Sequence, residues 1–254
     1  MKIEEYIKKG MEKAYRENLV LKTSFDELQP KIIEYLFTIN IAQQLLKWND
    51  ENSFLYSIHL EYDANKFLND AFINKKIERD NNILSEQTII ERNLHKLSRN
   101  KYGQIDIAIT KHENNLLDQE RAKFAIEIKA INQNEKKIKD DIIRLYEILA
   151  EKDNISDNSV EKGFLVFIER LDNSKKIAHE NDYKDLKNNR LKHWHNILIN
   201  EFGTYNVQAD IECFNIYNCS VEDYIKKLPV EDISYNQLID NTGFVTGFII
   251  TFTK

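Results

Sequence analysis

The chain has 254 residues, 42% of them hydrophobic and 31% charged, with 6 Gly and 2 Pro. That composition excludes a collagen-like or Pro/Gly-rich disordered protein and allows one large domain or two small ones. Lys and Arg number 36 against 42 Asp and Glu, a formal net charge of −6, which excludes a histone-like protein that coats a polyanion with its whole surface but leaves room for a local basic groove.

Taken in chain order, residues 2–20 space Ile3, Tyr6, Ile7, Met11, Ala14 and Tyr15 as an amphipathic helix. Ser24, followed three residues later by Glu27, caps a second helix running to about Trp48, with Pro30 tolerated near its start. The centre of that helix, IIEYLFTINIAQQLL, is apolar on nearly every side, so it is expected to be largely buried, with Glu34 its only charge. A buried carboxylate needs a cation, a metal or a strong donor. FLYSIHLEY (54–62) alternates as a strand, and 63–100 is polar, expected to be helical in part, and ends in the basic tract Arg92, His95, Lys96, Arg99 and Lys101.

Two further strands follow. GQIDIAIT (103–110) places Ile105, Ile107 and Ile109 on one face and Asp106, Ala108 and Thr110 on the other; KFAIEIKAI (123–131) separates Phe124, Ile126 and Ile128 from Ala125, Glu127 and Lys129. A helix from about Gln133 to Lys152 carries the apolar stripe Ile138, Ile142, Leu145 and Leu149. KGFLVFIER (162–170) reads as a parallel strand buried on both faces. A helix over 184–201, a strand over 206–218, a short helix over 220–228 and a strand over 243–252 complete a single mixed α/β domain, 1–254, with no linker composition inside it.

Asp106, Glu127 and Lys129 are the candidate chemistry. Neighbouring strands each present a carboxylate in hydrophobic surroundings, and the second adds an ammonium two positions on, hence on the same face as its Glu. Carboxylate oxygens suit Mg²⁺, which takes one or two of them, keeps several waters and binds substrate phosphate. The ammonium can orient or help deprotonate an attacking water and offset charge on a phosphorane-like transition state. The arrangement G103-Q-I-D106-I-A-I, then I126-E127-I-K129, with 20 residues between Asp106 and Glu127, resembles the PD-(D/E)xK nuclease superfamily. A Glu-bearing helix before it and the helix KKIKDDIIRLYEIL after it complete the likeness, which covers about residues 25–170.

The resemblance implies a restriction-endonuclease-like mixed central sheet flanked by helices, with 171–254 as a C-terminal α/β extension. It implies that Asp106 and Glu127 ligate Mg²⁺, for which Mn²⁺ can substitute, and that Lys129 acts on the water nucleophile. Glu34 would be the extra acidic residue from the first core helix, with Glu61 its rival. Ile105 stands where the superfamily name has Pro. The Gln-x-x-x-Tyr pair of the exonuclease branch is missing, since Ile142 holds the Gln position before Tyr146. The expected function is therefore a Mg²⁺-dependent endonuclease of restriction or phage-defence type, acting on DNA, with RNA not excluded. The alternative is a non-catalytic nucleic-acid-binding or interaction subunit that keeps the fold.

Candidate phosphate contacts are Arg92, Lys96, Arg99 and Lys101 before the Asp strand, Lys136, Lys137 and Lys139 after the Glu-x-Lys strand, and Arg190 and Lys192 flanking Trp194 with His193 and His195. Each set is equally a solvated face, and Trp194 is more readily a core residue than a base-stacking one. The 171–254 stretch is a candidate for dimerisation or target recognition, through a second copy or a partner protein. No 18-residue apolar run and no signal-peptide pattern occurs, so a cytoplasmic protein without membrane contact is expected. Cys213 and Cys219 lack CxxC spacing and His partners, and neither a disulfide nor a metal is assigned to them.

Overall fold

The computed structural model describes residues 2–22, 30–72, 76–79, 86–89, 103–113, 119–152, 157–171, 180–203, 206–219 and 243–254. Its elements are α1 (Ile3–Lys22), α2 (Pro30–Glu51), β1 (Tyr56–Asp63), α3 (Ala64–Asp70), β2 (Lys76–Arg79), β3 (Glu86–Ile89), β4 (Gln104–Glu113), β5 (Gln119–Ile131), α4 (Glu135–Ala150), β6 (Lys162–Arg170), α5 (Glu180–Phe202), β7 (Gln208–Cys219) and β8 (Gly243–Thr253). Six strands form one mixed sheet in the order β1-β4-β5-β6-β8-β7, while β2 and β3 pair as a separate two-stranded ribbon. Among the described strands only β5 and β6 run parallel, and α4 connects them. Antiparallel neighbours can follow through short turns, whereas a parallel pair needs a crossover of this kind.

Strand alternation sends side chains to two separate cores. Ile107, Ile109, Phe124, Ile126, Phe164 and Val166 pack with Ile7, Met11, Phe37, Ile41 and Leu45 of α1 and α2. Ala108, Ala125, Leu165 and Phe167 pack with α3, α4 and α5 through Leu68, Ile142, Leu145 and Trp194. The result is a three-layer α/β/α sandwich, and β6 is apolar on both faces because both are covered. Asn134 caps α4 by accepting a hydrogen bond from the Lys136 amide at 2.9 Å. α1 approaches α2 closely enough that a Cβ on Gly10 would lie 2.5 Å from Ile41 Cα, so only glycine fits at that crossing.

α2 is largely buried, with Tyr35 and Leu46 exposed at 59% and 56%. The structure corrects one expectation, the face to which Ile105 belongs. Ile105 packs with Ala108 rather than with Ile107 and Ile109; directly across from Asp106, Glu61 takes a φ of 50°, which interrupts regular extended geometry where the alternation fails. Within 171–254, β7 and β8 extend the sheet beyond β6. Ser24, the expected 220–228 helix and Arg92, His95, Lys96, Arg99 and Lys101 lie outside the described residues. No helix among the described residues is long and apolar enough to cross a membrane.

Candidate active site

β4 and β5 bring Asp106 and Glu127 within electrostatic reach of each other. Ile107 pairs with Ile126 and Ala108 with Ala125, and Asp106 and Glu127 are the next residues beyond the end of that ladder. Asp106 Oδ2 accepts the Ile128 amide hydrogen bond at 2.6 Å, so the side chain takes over a ladder donor and is fixed by the backbone of the strand that carries the other two residues. Past Ile128, the pairing of β5 with β6 shifts register before Ile131. Lys129 falls at this bulge, a device that redirects side chains at sheet ends and active sites.

The Lys129 ammonium is gathered from both layers. Its Nζ lies 2.8 Å from Asp141 Oδ2 of α4 and 3.3 Å from Glu34 Oε1 of α2, and donates to the Ile128 carbonyl at 3.1 Å. Glu127 is 1% exposed, and its Oε1 receives Arg144 Nη1 of α4 at 2.7 Å. Arg144 also donates to the Gln104 carbonyl at 3.0 Å and reaches Asp141 Oδ1 through Nη2 at 3.3 Å. Glu61 is exposed and touches neither Asp106 nor Lys129 among the described residues, so Glu34 is the acidic side chain that joins the cluster.

Glu127 is buried and Asp106 and Lys129 are half-buried, and the electrostatics follow. Burial pushes the Asp106 carboxyl up to about 6, against the pull of Lys129 and the Ile128 amide. Burial likewise drives Glu127 well above the ordinary glutamate value; Asp141 and Asp106 add to this, while Arg144 and Lys129 oppose it. Burial works against the Lys129 ammonium, but Asp141 and Asp106 outweigh it and hold its pKa above the ordinary lysine value. Four carboxylates, Glu34, Asp106, Glu127 and Asp141, face two cations, Lys129 and Arg144, leaving two negative charges in excess when all are ionised.

That imbalance is what a divalent cation would relieve, and the donor set can be tested for it. Asp106 and Glu127 each commit one oxygen to a donor and have the other outside any hydrogen bond among the described residues. They fit a Mg²⁺ held by two carboxylates and completed by water and substrate phosphate. They do not make an all-protein cage: among the described residues no group of three or more His, Cys, Asp or Glu is gathered to hold a metal.

Asp141 and Arg144 were not read from the sequence, though a signal existed. Asp141 sits three residues after Ile138 and four before Leu145, inside the apolar stripe of α4; a carboxylate there must find a buried partner. The candidate phosphate contacts are more dispersed. Lys136 and Lys137 are exposed at the start of α4, and Lys139 is paired with Glu135 and Glu201. Arg190 binds Glu169 through Nε and Nη2, Lys192 is exposed, and His193 meets Glu135. Trp194 is fully buried and donates its indole N–H to Glu169, so it is a core residue and not a stacking platform. Comparison of the chain with protein-family models, with curated proteins and with solved structures finds no match.

Proposed function

We propose that the chain is a Mg²⁺-dependent nuclease, a DNA endonuclease with a restriction-endonuclease-like core, which hydrolyses phosphodiester bonds by attack of water. The observation that carries this reading is the convergence of Asp106, Glu127 and Lys129 with Glu34 at one end of β4 and β5, where anions outnumber cations. Asp106 and Glu127 are the residues that would hold the metal, and when bound it supplies Lewis-acid polarisation of the phosphate and acidification of water. Lys129, kept protonated by its carboxylate neighbours, orients the attacking water and offsets charge growing on the phosphorus oxygens; a cation held this firmly is a donor and not a base. Asp106, clamped by the Ile128 amide, keeps its free oxygen aimed without a loss of side-chain entropy at each turnover. The exposed Lys136 and Lys137 at the start of α4 supply phosphate attraction independent of sequence.

The test is incubation of the purified protein with supercoiled, linear and single-stranded DNA and with RNA, in Mg²⁺ and in chelator. Cleavage of DNA in Mg²⁺ is expected, and Asp106→Ala, Glu127→Ala and Lys129→Ala should each abolish it while the variants remain folded. Retention of DNA without cleavage in either buffer identifies a binding subunit, and equal cutting by all three variants overturns the site.

A further inference from the structure

Lys129 and Glu127 stand two residues apart on a strand, about 7 Å, and Asp141 and Arg144 stand three apart on a helix, about 5–6 Å. The matched spacing lines up a chain of alternating charge: Lys129 to Asp141 at 2.8 Å, Asp141 to Arg144 at 3.3 Å, Arg144 to Glu127 at 2.7 Å. Within it Asp141 is 4% exposed, and its Oδ2 has the Lys129 ammonium as its neighbour at 2.8 Å. Its Oδ1 is engaged by Arg144, which holds the carboxylate plane. Glu34, the other anion on Lys129, accepts its hydrogen bond at the longer distance of 3.3 Å and is the longer and more exposed side chain. A short side chain on a rigid helix, shielded from water, constrains an ammonium more tightly than a longer, half-buried one with more rotamer freedom.

We propose that Asp141 is a positioning residue of the centre: it fixes the Lys129 ammonium beside Asp106 and Glu127, and it acts on the reaction only through that lysine. The catalytic consequence rests on the nuclease reading; the pairing itself does not. A misplacement of the ammonium by one methylene length costs on the order of 10²-fold in rate.

The experiment uses the full chain labelled with ¹⁵N-lysine and compares the parent with Asp141→Asn, Asp141→Glu and Lys129→Arg. In the metal-free parent a slowly exchanging side-chain ammonium resonance is expected, assigned to Lys129 by its absence from Lys129→Arg. It should vanish or exchange much faster in Asp141→Asn and shift in Asp141→Glu, which preserves charge and so satisfies a purely structural role. Single-turnover cleavage in Mg²⁺ should fall about 10²-fold in both Asp141 variants while KM stays within a few-fold. An unchanged ammonium signal in folded Asp141→Asn, or parental cleavage by Asp141→Glu, overturns the proposal while leaving the nuclease reading intact. A parent that never cuts, with the ammonium signal lost in Asp141→Asn as expected, removes the nuclease reading and the catalytic consequence together and leaves the pairing standing.

Discussion

Replacing Asp106 by Asn in the metal-free protein should stabilise it, and more so at pH 8 than at pH 4.5. The native carboxyl is shifted from 3.8 to about 6, so between those values the folded chain holds a proton the unfolded chain has released. Stability therefore falls as pH rises through that window and levels off above it. The full shift of about two units corresponds to about 3 kcal/mol at pH 8, and the part already incurred at pH 4.5 is about 1 kcal/mol. Asn keeps an oxygen for the Ile128 amide and carries no charge to desolvate, so the variant escapes this penalty. Urea unfolding in chelator, followed for both proteins from pH 4.5 to 8, should show the stability difference growing by about 2 kcal/mol across the range. Any offset independent of pH, from an imperfect amide fit beside Lys129, drops out of that difference. A difference that stays flat across the range would refute the claim that Asp106 is strained by burial when no metal is bound.

Two other outcomes follow from the packing. Arg144→Ala strips Glu127 of its guanidinium in a nearly dry site and should cost about 3–5 kcal/mol at pH 8, a loss that chemical denaturation should show to be much smaller in the Glu127→Gln background. Gly10→Ala, helix-favouring on propensity alone, should instead destabilise the protein by about 1–3 kcal/mol because the new methyl meets the backbone of Ile41; thermal unfolding reads the sign directly.

Much of the fold was legible in the sequence because its main signals are periodic. The two-residue alternation of 123–131 and the doubly apolar 162–170 correspond to β5 and β6, and the stripe from Ile138 to Leu149 to α4. The β2–β3 ribbon inside the polar 63–100 stretch was not, since its four-residue strands are too short for a period to emerge. The misassigned face of Ile105 has a similar cause: a local φ of 50° at Glu61, on the neighbouring strand, leaves no mark in the composition of β4. At the site, Asp106, Glu127, Lys129 and Glu34 were visible because charged side chains in apolar segments stand out. Asp141 and Arg144 were hidden among the many charges of KKIKDDIIRLYEIL, where only position on the helix distinguishes a buried anion from a solvated one.

The insertion of β8 between β6 and β7 dictates when the sheet can assemble. A nascent chain that has emerged as far as residue 219 has β6 and β7 but nothing to join them, and the edge of β6 that β8 will occupy is still open on a strand apolar on both faces. Residues 243–253 must arrive from elsewhere in the chain to close that gap, a contact of long sequence separation that slows folding and leaves a sticky intermediate waiting. Chains halted before this stretch leave that edge open to pairing with other strands, and recombinant fragments ending near residue 170 share the same exposed seam.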